Sequence, residues 1–168
     1  MKLGIVGTGN VTYRHFEEFS KIDGVKVEAV CDVNLENLNL FTKKFGNHLR
    51  KYSSVDEMLE EEKNFDGICN NTPDRFHKEV SLKILEKGIN IFSEKPLAEN
   101  YEDAKILTDL AHKQKVINMV NFTYRESSGY QKLVETIKSD ALGGIKHVNA
   151  NYYQSWLTSN LWGNWKEE

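Results

Sequence analysis

From Leu3 to about Val120, short apolar runs alternate with longer stretches in which apolar residues recur every three or four positions. The runs Leu3–Val6, Val25–Cys31, Phe65–Asn70, Ile89–Ser93 and Val116–Val120 predict strands, with a weaker one at Leu49–Tyr52. Between them, the helical period predicts helices over Asn10–Ile22, Asn34–Phe45 and Val55–Glu62. Two more follow, one after Thr72-Pro73-Asp74 carrying Phe76, Val80, Ile84 and Leu85, one from near Asn100 carrying Ala104, Leu107 and Ala111. Gly24, Gly46 and Gly88 stand as stops. In the first helix Val11, His15, Phe19 and Ile22 share one predicted face. Strands separated by helices of this length read as βαβ units, which cross over right-handed and build a parallel sheet.

After Asn121 the rhythm changes. A helix over about Tyr130–Lys138 leads through Gly143-Gly144 to Ile145–Tyr152, where Val148, Ala150 and Tyr152 alternate with polar neighbours as in a strand with one buried face. The expectation is an α/β chain: a Rossmann-type doubly wound parallel sheet over residues 1–121, then over residues 122–168 the beginning of a second α/β domain.

Composition narrows the partners. With 39% hydrophobic and 28% charged residues and a net charge of -3, the chain is of ordinary globular type. Its mild acidity gives no electrostatic case for nucleic acid or an anionic membrane. No apolar run approaches the roughly 18 residues of a membrane span. The N-terminus runs straight into a strand, leaving no room for a signal peptide, and Cys31 and Cys69 have no close-spaced partner. Buried free thiols and a cytoplasmic location are expected. His48, His112 and His147 lack acidic or cysteine partners at ligand spacing, so no metal site is expected. Glu60-Glu61-Glu62 reads as a solvated helix face, and His15 as a packed or capping histidine.

The first strand ends in Gly7-Thr8-Gly9-Asn10-Val11-Thr12, directly ahead of a helix. The first glycine permits a tight turn, and the second lets backbone amides approach a pyrophosphate at the helix N-terminus. Thr12 stands where a third glycine or alanine is usual. Asp32 ends the second strand about 20 residues on, where an acid binds the adenosine ribose hydroxyls and repels a 2′-phosphate. NAD is thereby favoured over NADP. The competing reading makes Asp32 the N-cap of the next helix.

Ser93-Glu94-Lys95-Pro96-Leu97 puts a lysine at the carboxyl end of a buried strand, where open α/β sheets bind their ligands. Beside a bound nicotinamide, desolvation and the positive ring would lower the lysine pKa and fit Lys95 for proton transfer. Glu94 would orient it or take a hydrogen bond from the cofactor, and Pro96 fixes the exit of the strand, a cis bond being one way to aim Lys95 into the crevice. A solvated turn lysine is the alternative.

These pieces together resemble the Gfo/Idh/MocA oxidoreductases, the family of glucose-fructose oxidoreductase and inositol dehydrogenase. The matching runs are Gly4 to Asn10, Asn71-Thr72-Pro73-Asp74 with His77, Gly88 to Phe92, Glu94-Lys95-Pro96 and Asn121-Phe122-Thr123-Tyr124-Arg125. The resemblance implies an N-terminal Rossmann domain that binds NAD or NADP and a C-terminal domain that covers substrate and mediates homo-oligomers. It implies that Gly7, Thr8, Gly9, Asn10 and Val11 line the dinucleotide with Asp32 on the ribose. Asn71, Thr72, Pro73, His77 and Asn121 would border the cofactor, with Glu94 on the nicotinamide side. Lys95 would contact substrate, a sugar or polyol, and assist proton transfer, with Arg125 near substrate or, together with Tyr124, at the domain junction. The family's Asp/His acid/base motif would fall beyond Glu168, and Leu161-Trp162-Gly163-Asn164-Trp165-Lys166 resembles the aromatic stretch just ahead of it. Two functions therefore stand: the dinucleotide half of a dehydrogenase, or a dinucleotide-binding module without turnover. A methyltransferase is disfavoured by Lys95 and its setting.

Overall fold

The computed structural model describes residues 1–153 and 155. The stretch Leu161 to Lys166 lies outside them. The chain divides into two units, the first Met1–Thr123 and the second beginning at Tyr124.

In the first unit six strands form one parallel sheet: β1 (Lys2–Val6), β2 (Lys26–Cys31), β3 (Arg50–Tyr52), β4 (Gly67–Asn70), β5 (Asn90–Ser93) and β6 (Asn118–Val120). Between them run α1 (Asn10–Phe19), α2 (Leu35–Phe45), α3 (Val55–Glu61), a 3₁₀ turn at Asp74–Phe76 leading into α4 (His77–Glu86), and α5 (Tyr101–Gln114). The spatial order is β3-β2-β1-β4-β5-β6, so the winding reverses between β1 and β4. This is the doubly wound order whose switch point holds dinucleotides in open α/β sheets.

Side-chain alternation along the buried strands divides the core into two layers. Ile5, Val27, Val30 and Cys69 pack with Phe16 of α1 and Leu38 and Phe41 of α2. On the opposite face Val6, Ala29, Cys31, Ile68 and Ile91 pack with Met58 and Leu59 of α3, Ile84 and Leu85 of α4, and Leu107 and Ala111 of α5. Neighbouring residues of β1, Ile5 and Val6, thus serve opposite layers.

The predicted inner face of the first helix needs correction. Thr12 and Phe16 are its buried residues, whereas Val11 and Ile22 are exposed. Val11 precedes Thr12 by one residue and so is turned by about 100° away from the sheet. The helix ends at Phe19, past which the Lys21 and Ile22 amides turn to carbonyls three residues back, Glu18 O and Phe19 O (both 3.1 Å), and Ile22 lies in that turn.

The second unit carries α6 (Ser128–Lys138), capped by Ser127, whose hydroxyl accepts from the Tyr130 amide (3.4 Å). Tyr124 and Tyr152 meet edge to face with their hydroxyls 2.5 Å apart. The strand expected over Ile145–Tyr152 is not formed: the segment joins no ladder, and Val148 is 72% exposed. Alternation describes a surface suited to one buried face; pairing also requires a neighbouring strand, and the described residues of this unit offer none. No helix among the described residues is long and apolar enough to cross a membrane.

Phe41 is fully buried and its ring meets Tyr13, Phe16 and Phe45 at 5.0, 5.5 and 4.7 Å between centroids. Phe41→Ala should therefore cost about 3–5 kcal/mol, read as a lower urea midpoint at unchanged m-value. An unmoved midpoint would show that this cluster does not carry the α1/α2 layer.

Candidate functional site

The strand ends lie in one row. Tyr52 pairs with Cys31, Cys31 with Val6, Val6 with Asn70, Asn70 with Ser93, and Ser93 with Val120. One residue further, the ladder makes a last rung. The amides of Asp32, Gly7, Asn71, Glu94 and Asn121 donate to Tyr52 O, Cys31 O, Val6 O, Asn70 O and Ser93 O at 2.7–3.1 Å. Five residues singled out from separate stretches of sequence thus stand side by side along the carboxyl edge of the sheet, across the switch point.

Gly7 turns the chain with φ +88°, and a Cβ there would lie 2.6 Å from Asn71 O. Only glycine satisfies both conditions. Beneath it runs a buried hydrogen-bond chain. The Cys69 thiol donates to Asn71 Oδ1 (3.0 Å), Asn71 Nδ2 to Thr12 Oγ1 (3.1 Å), and Thr12 Oγ1 to Gly7 O (2.7 Å). Thr12 therefore holds the turn in place of a third small residue. Asp32 holds it from the other side: its Oδ2 accepts from the Thr8 amide and hydroxyl, both at 2.7 Å, and its Oδ1 from the Asn34 amide (2.8 Å). The cap of α2 is Asn34, which accepts from the Glu36 and Asn37 amides, so Asp32 is not the N-cap.

Side chains of Asn34, Ser54, Asn100 and Ser127 cap α2, α3, α5 and α6. The N-cap of α1 is Gly9, with no side-chain cap and no acid in its first turn. A Cβ on Gly9 would meet nothing within 4 Å. The Thr12 amide is taken by Gly9 O (3.0 Å), while Asn10 and Val11 are exposed, so the start of α1 at those two residues opens onto free space, the arrangement that suits an anion.

Across the switch point Glu94 is 8% exposed. Its Oε1 accepts from His15 Nε2 (2.7 Å) and Asn121 Nδ2 (2.6 Å), and its Oε2 from the Lys95 amide (3.3 Å). Burial pushes the Glu94 carboxyl up, but the hydrogen bonds from His15 and Asn121, with the charge of His15, outweigh it and hold the group below the usual carboxylate value. Lys95 itself is exposed and joined to Pro96 by a cis bond.

His77 is fully buried, and its ring nitrogens lie within hydrogen-bonding distance of Thr72 O (2.7 Å) and Pro96 O (2.5 Å). It links the loops after β4 and β5. Asn71 is likewise buried, its amide spent inside the protein. Thr72 is half-buried and Pro73 exposed at the mouth of the β4 loop. Arg125 belongs to the second unit, where it is exposed and its carbonyl accepts from Gln131.

Three participants escaped the sequence reading. Asn70, fully buried, accepts from the Thr72 amide and hydroxyl (3.2 and 2.7 Å) and donates to His77 O and Ser81 Oγ (3.2 and 3.0 Å), shaping the β4 loop. The link from Cys69 to Asn71 and that from His15 to Glu94 also went unseen. A polar residue closing an otherwise apolar strand was the available signal for Asn70. Both cysteines are free and buried; burial, then Asp32, pushes the Cys31 thiol up to about 12, and burial pushes Cys69 up as well.

Comparison with known proteins accords with this geometry. The chain is 28% identical over 167 residues to glucose-6-phosphate 3-dehydrogenase of Bacillus subtilis, covering 99% of this chain and 46% of the relative. It is 26% identical over 143 residues to myo-inositol 2-dehydrogenase of Thermotoga maritima, covering 85% of this chain and 42% of the relative. The chain thus spans about half the length of the curated relatives it matches. Among solved structures, the WlbA dehydrogenase from Bordetella pertussis in complex with NADH and UDP-GlcNAcA superposes with a TM-score of 0.79 at 25% identity, covering 84% of this chain and 43% of that one. The model of the oxidoreductase family with an NAD-binding Rossmann fold matches residues 1–122, and on that match the chain belongs to the Gfo/Idh/MocA oxidoreductases.

Proposed function

We propose that the chain binds NAD across the β1/β4 switch point and forms the dinucleotide half of a dehydrogenase. The substrate class is a secondary alcohol or carbonyl of a sugar, polyol or related compound. The observation that carries the reading is the uncapped N-terminus of α1 beside an unobstructed Gly9, facing Asp32. Backbone amides there suit a pyrophosphate, and the carboxylate suits a ribose while repelling a 2′-phosphate. Thr8 and Asn34 take three of the roughly four lone-pair positions of the Asp32 carboxylate, leaving one for a ribose hydroxyl.

NAD, when bound, supplies the hydride acceptor. In this reading Lys95 is the catalytic residue: its amine takes the hydroxyl proton as the alcohol is oxidised and returns it to the carbonyl in reverse. Because Lys95 is exposed, any desolvation of its amine comes from what binds against it rather than from the packing of the first unit. Glu94 is committed to His15, Asn121 and the Lys95 amide, so its part is to hold the Lys95 backbone. Asn71 and His77, both buried, shape the loops rather than touch the dinucleotide. The relatives named above are dehydrogenases of a sugar phosphate and of an inositol, which supports the substrate class.

Calorimetry tests the cofactor. NAD should bind and NADP should bind more weakly; Asp32→Ala should weaken NAD by about tenfold, a loss of ~1.4 kcal/mol, and narrow the preference. Binding of neither dinucleotide would sink the assignment. The two glycines should separate. Gly7→Ala should destabilise the fold by more than about 1 kcal/mol, while Gly9→Ala should leave stability within about 0.5 kcal/mol and weaken NAD. Equal effects on thermal melting and on binding would argue against an open phosphate cradle at Gly9.

Glu94 sets an acid limb. A carboxylate whose folded value lies below its unfolded one, near 4.5, stabilises the fold above that pH. The contribution is lost as pH falls through the lowered folded value. Unfolding free energies measured below pH 4.5 should fall more steeply in the wild type than in Glu94→Gln; parallel profiles would contradict this.

A further inference from the structure

His15 has two sets of neighbours. Its ring meets Phe92 edge-on at 5.5 Å and Phe19 at 6.0 Å, so it fills space between α1 and β5. Its Nε2 donates to Glu94 Oε1, and Glu94 Oε2 in turn receives the Lys95 amide. The second path runs from the helix that opens at the glycine turn, through one carboxylate, to the backbone of the lysine across the switch point.

We propose that His15 is a positioning residue for Lys95, acting through Glu94, over and above any packing role. The inference rests on the reading of Lys95 as the proton-transferring group. Glu94 has little access to water, so its oxygens depend on protein donors. Asn121 supplies one bond from β6, and His15 supplies the other to the same oxygen. A charge-assisted bond of this kind fixes an orientation more firmly than a neutral one. Remove it and the carboxylate is free to turn and to release the Lys95 amide; a turned carboxylate that closed on the Lys95 amine would slow acylation of that amine.

Two substitutions separate positioning from packing. His15→Phe keeps an aromatic ring against Phe19 and Phe92 and loses the donor; His15→Gln loses the ring and keeps an N–H that reaches Glu94. The readout is the rate at which an amine-acylating reagent labels Lys95 in the 168-residue chain, followed by peptide mass spectrometry, with exposed Lys113 as internal standard. Thermal melting checks that each variant is folded. Positioning predicts labelling of Lys95 slowed several-fold in His15→Phe and near wild-type in His15→Gln. The opposite order, or equal rates in the two variants, would assign His15 to packing and overturn the proposal.

Should His15→Phe fail to fold, His15→Leu against His15→Gln carries the test. Both lose the ring and only the second keeps an N–H for Glu94, so slowing is expected in His15→Leu alone, and equal rates in the two would overturn the path. These rates are measured without cofactor. Protection of Lys95 by added NAD is a separate arm, and its failure would count against the crevice reading while leaving the order of the His15 variants to stand on its own.

Discussion

The last rung of the parallel ladder is the constraint on which the site depends. In a parallel sheet the hydrogen bonds are evenly spaced, so each pair of strands keeps its own register once set; β1 and β2 shift theirs once, between Leu3 and Gly4, and hold it from there to the strand ends. Here the registers bring Cys31, Val6, Asn70, Ser93 and Val120 level. The residues one position later, Asp32, Gly7, Asn71, Glu94 and Asn121, donate one more set of backbone bonds before the chain departs. Their side chains are thereby aligned by the sheet rather than by the loops. A slip of one residue in any strand would exchange the two core layers as well as the site, so the apolar packing on both faces protects the alignment.

The rung explains where polar atoms go. Residues at a strand end inside a doubly wound domain are only partly hydrated, and each polar group there must find a partner. Asn70 divides itself between the β4 loop and α4, Asn71 between Cys69 and Thr12, and Glu94 between α1, β6 and its own successor. The loops that carry Thr72 and Lys95 are joined by His77. What is left exposed here is a short set: Asn10 and Val11 at the start of α1, an edge of Asp32, Pro73 and Lys95. Buried groups fix the geometry, and exposed ones are available for ligands.

Much of this was legible in the sequence. The strand and helix order followed from periodicity, and Gly7, Asp32 and Lys95 announced themselves by type and position at strand ends. The partnerships did not. His15 and Glu94 lie 79 residues apart, and Asn71 and Thr12 59 apart; pairings at such distance are created by register, which one sequence does not encode locally. Asn71 and His77 are expected from the resemblance to border the cofactor; the structure adds that both are buried, with Asn71 bonded to Cys69 and Thr12 and His77 to Thr72 O and Pro96 O, partners that a motif does not name. At Ile145–Tyr152 the pattern called for a strand, yet a pattern of one face describes only half of a pairing.

Thr12 carries a broader lesson about the glycine fingerprint. The third position is commonly described by residue letters, small ones, as though volume were the requirement. Here a β-branched residue occupies it fully buried, because its hydroxyl takes the Asn71 amide and returns a bond to Gly7 O. Valine has the same shape and would fit the space, but it would leave that amide without this acceptor and the turn without its tie. Serine would keep both bonds and surrender a methyl group. The fingerprint at this position is thus a rule about valence satisfied within a fixed volume, and a search written in glycines and alanines alone would pass over chains that obey it by other chemistry.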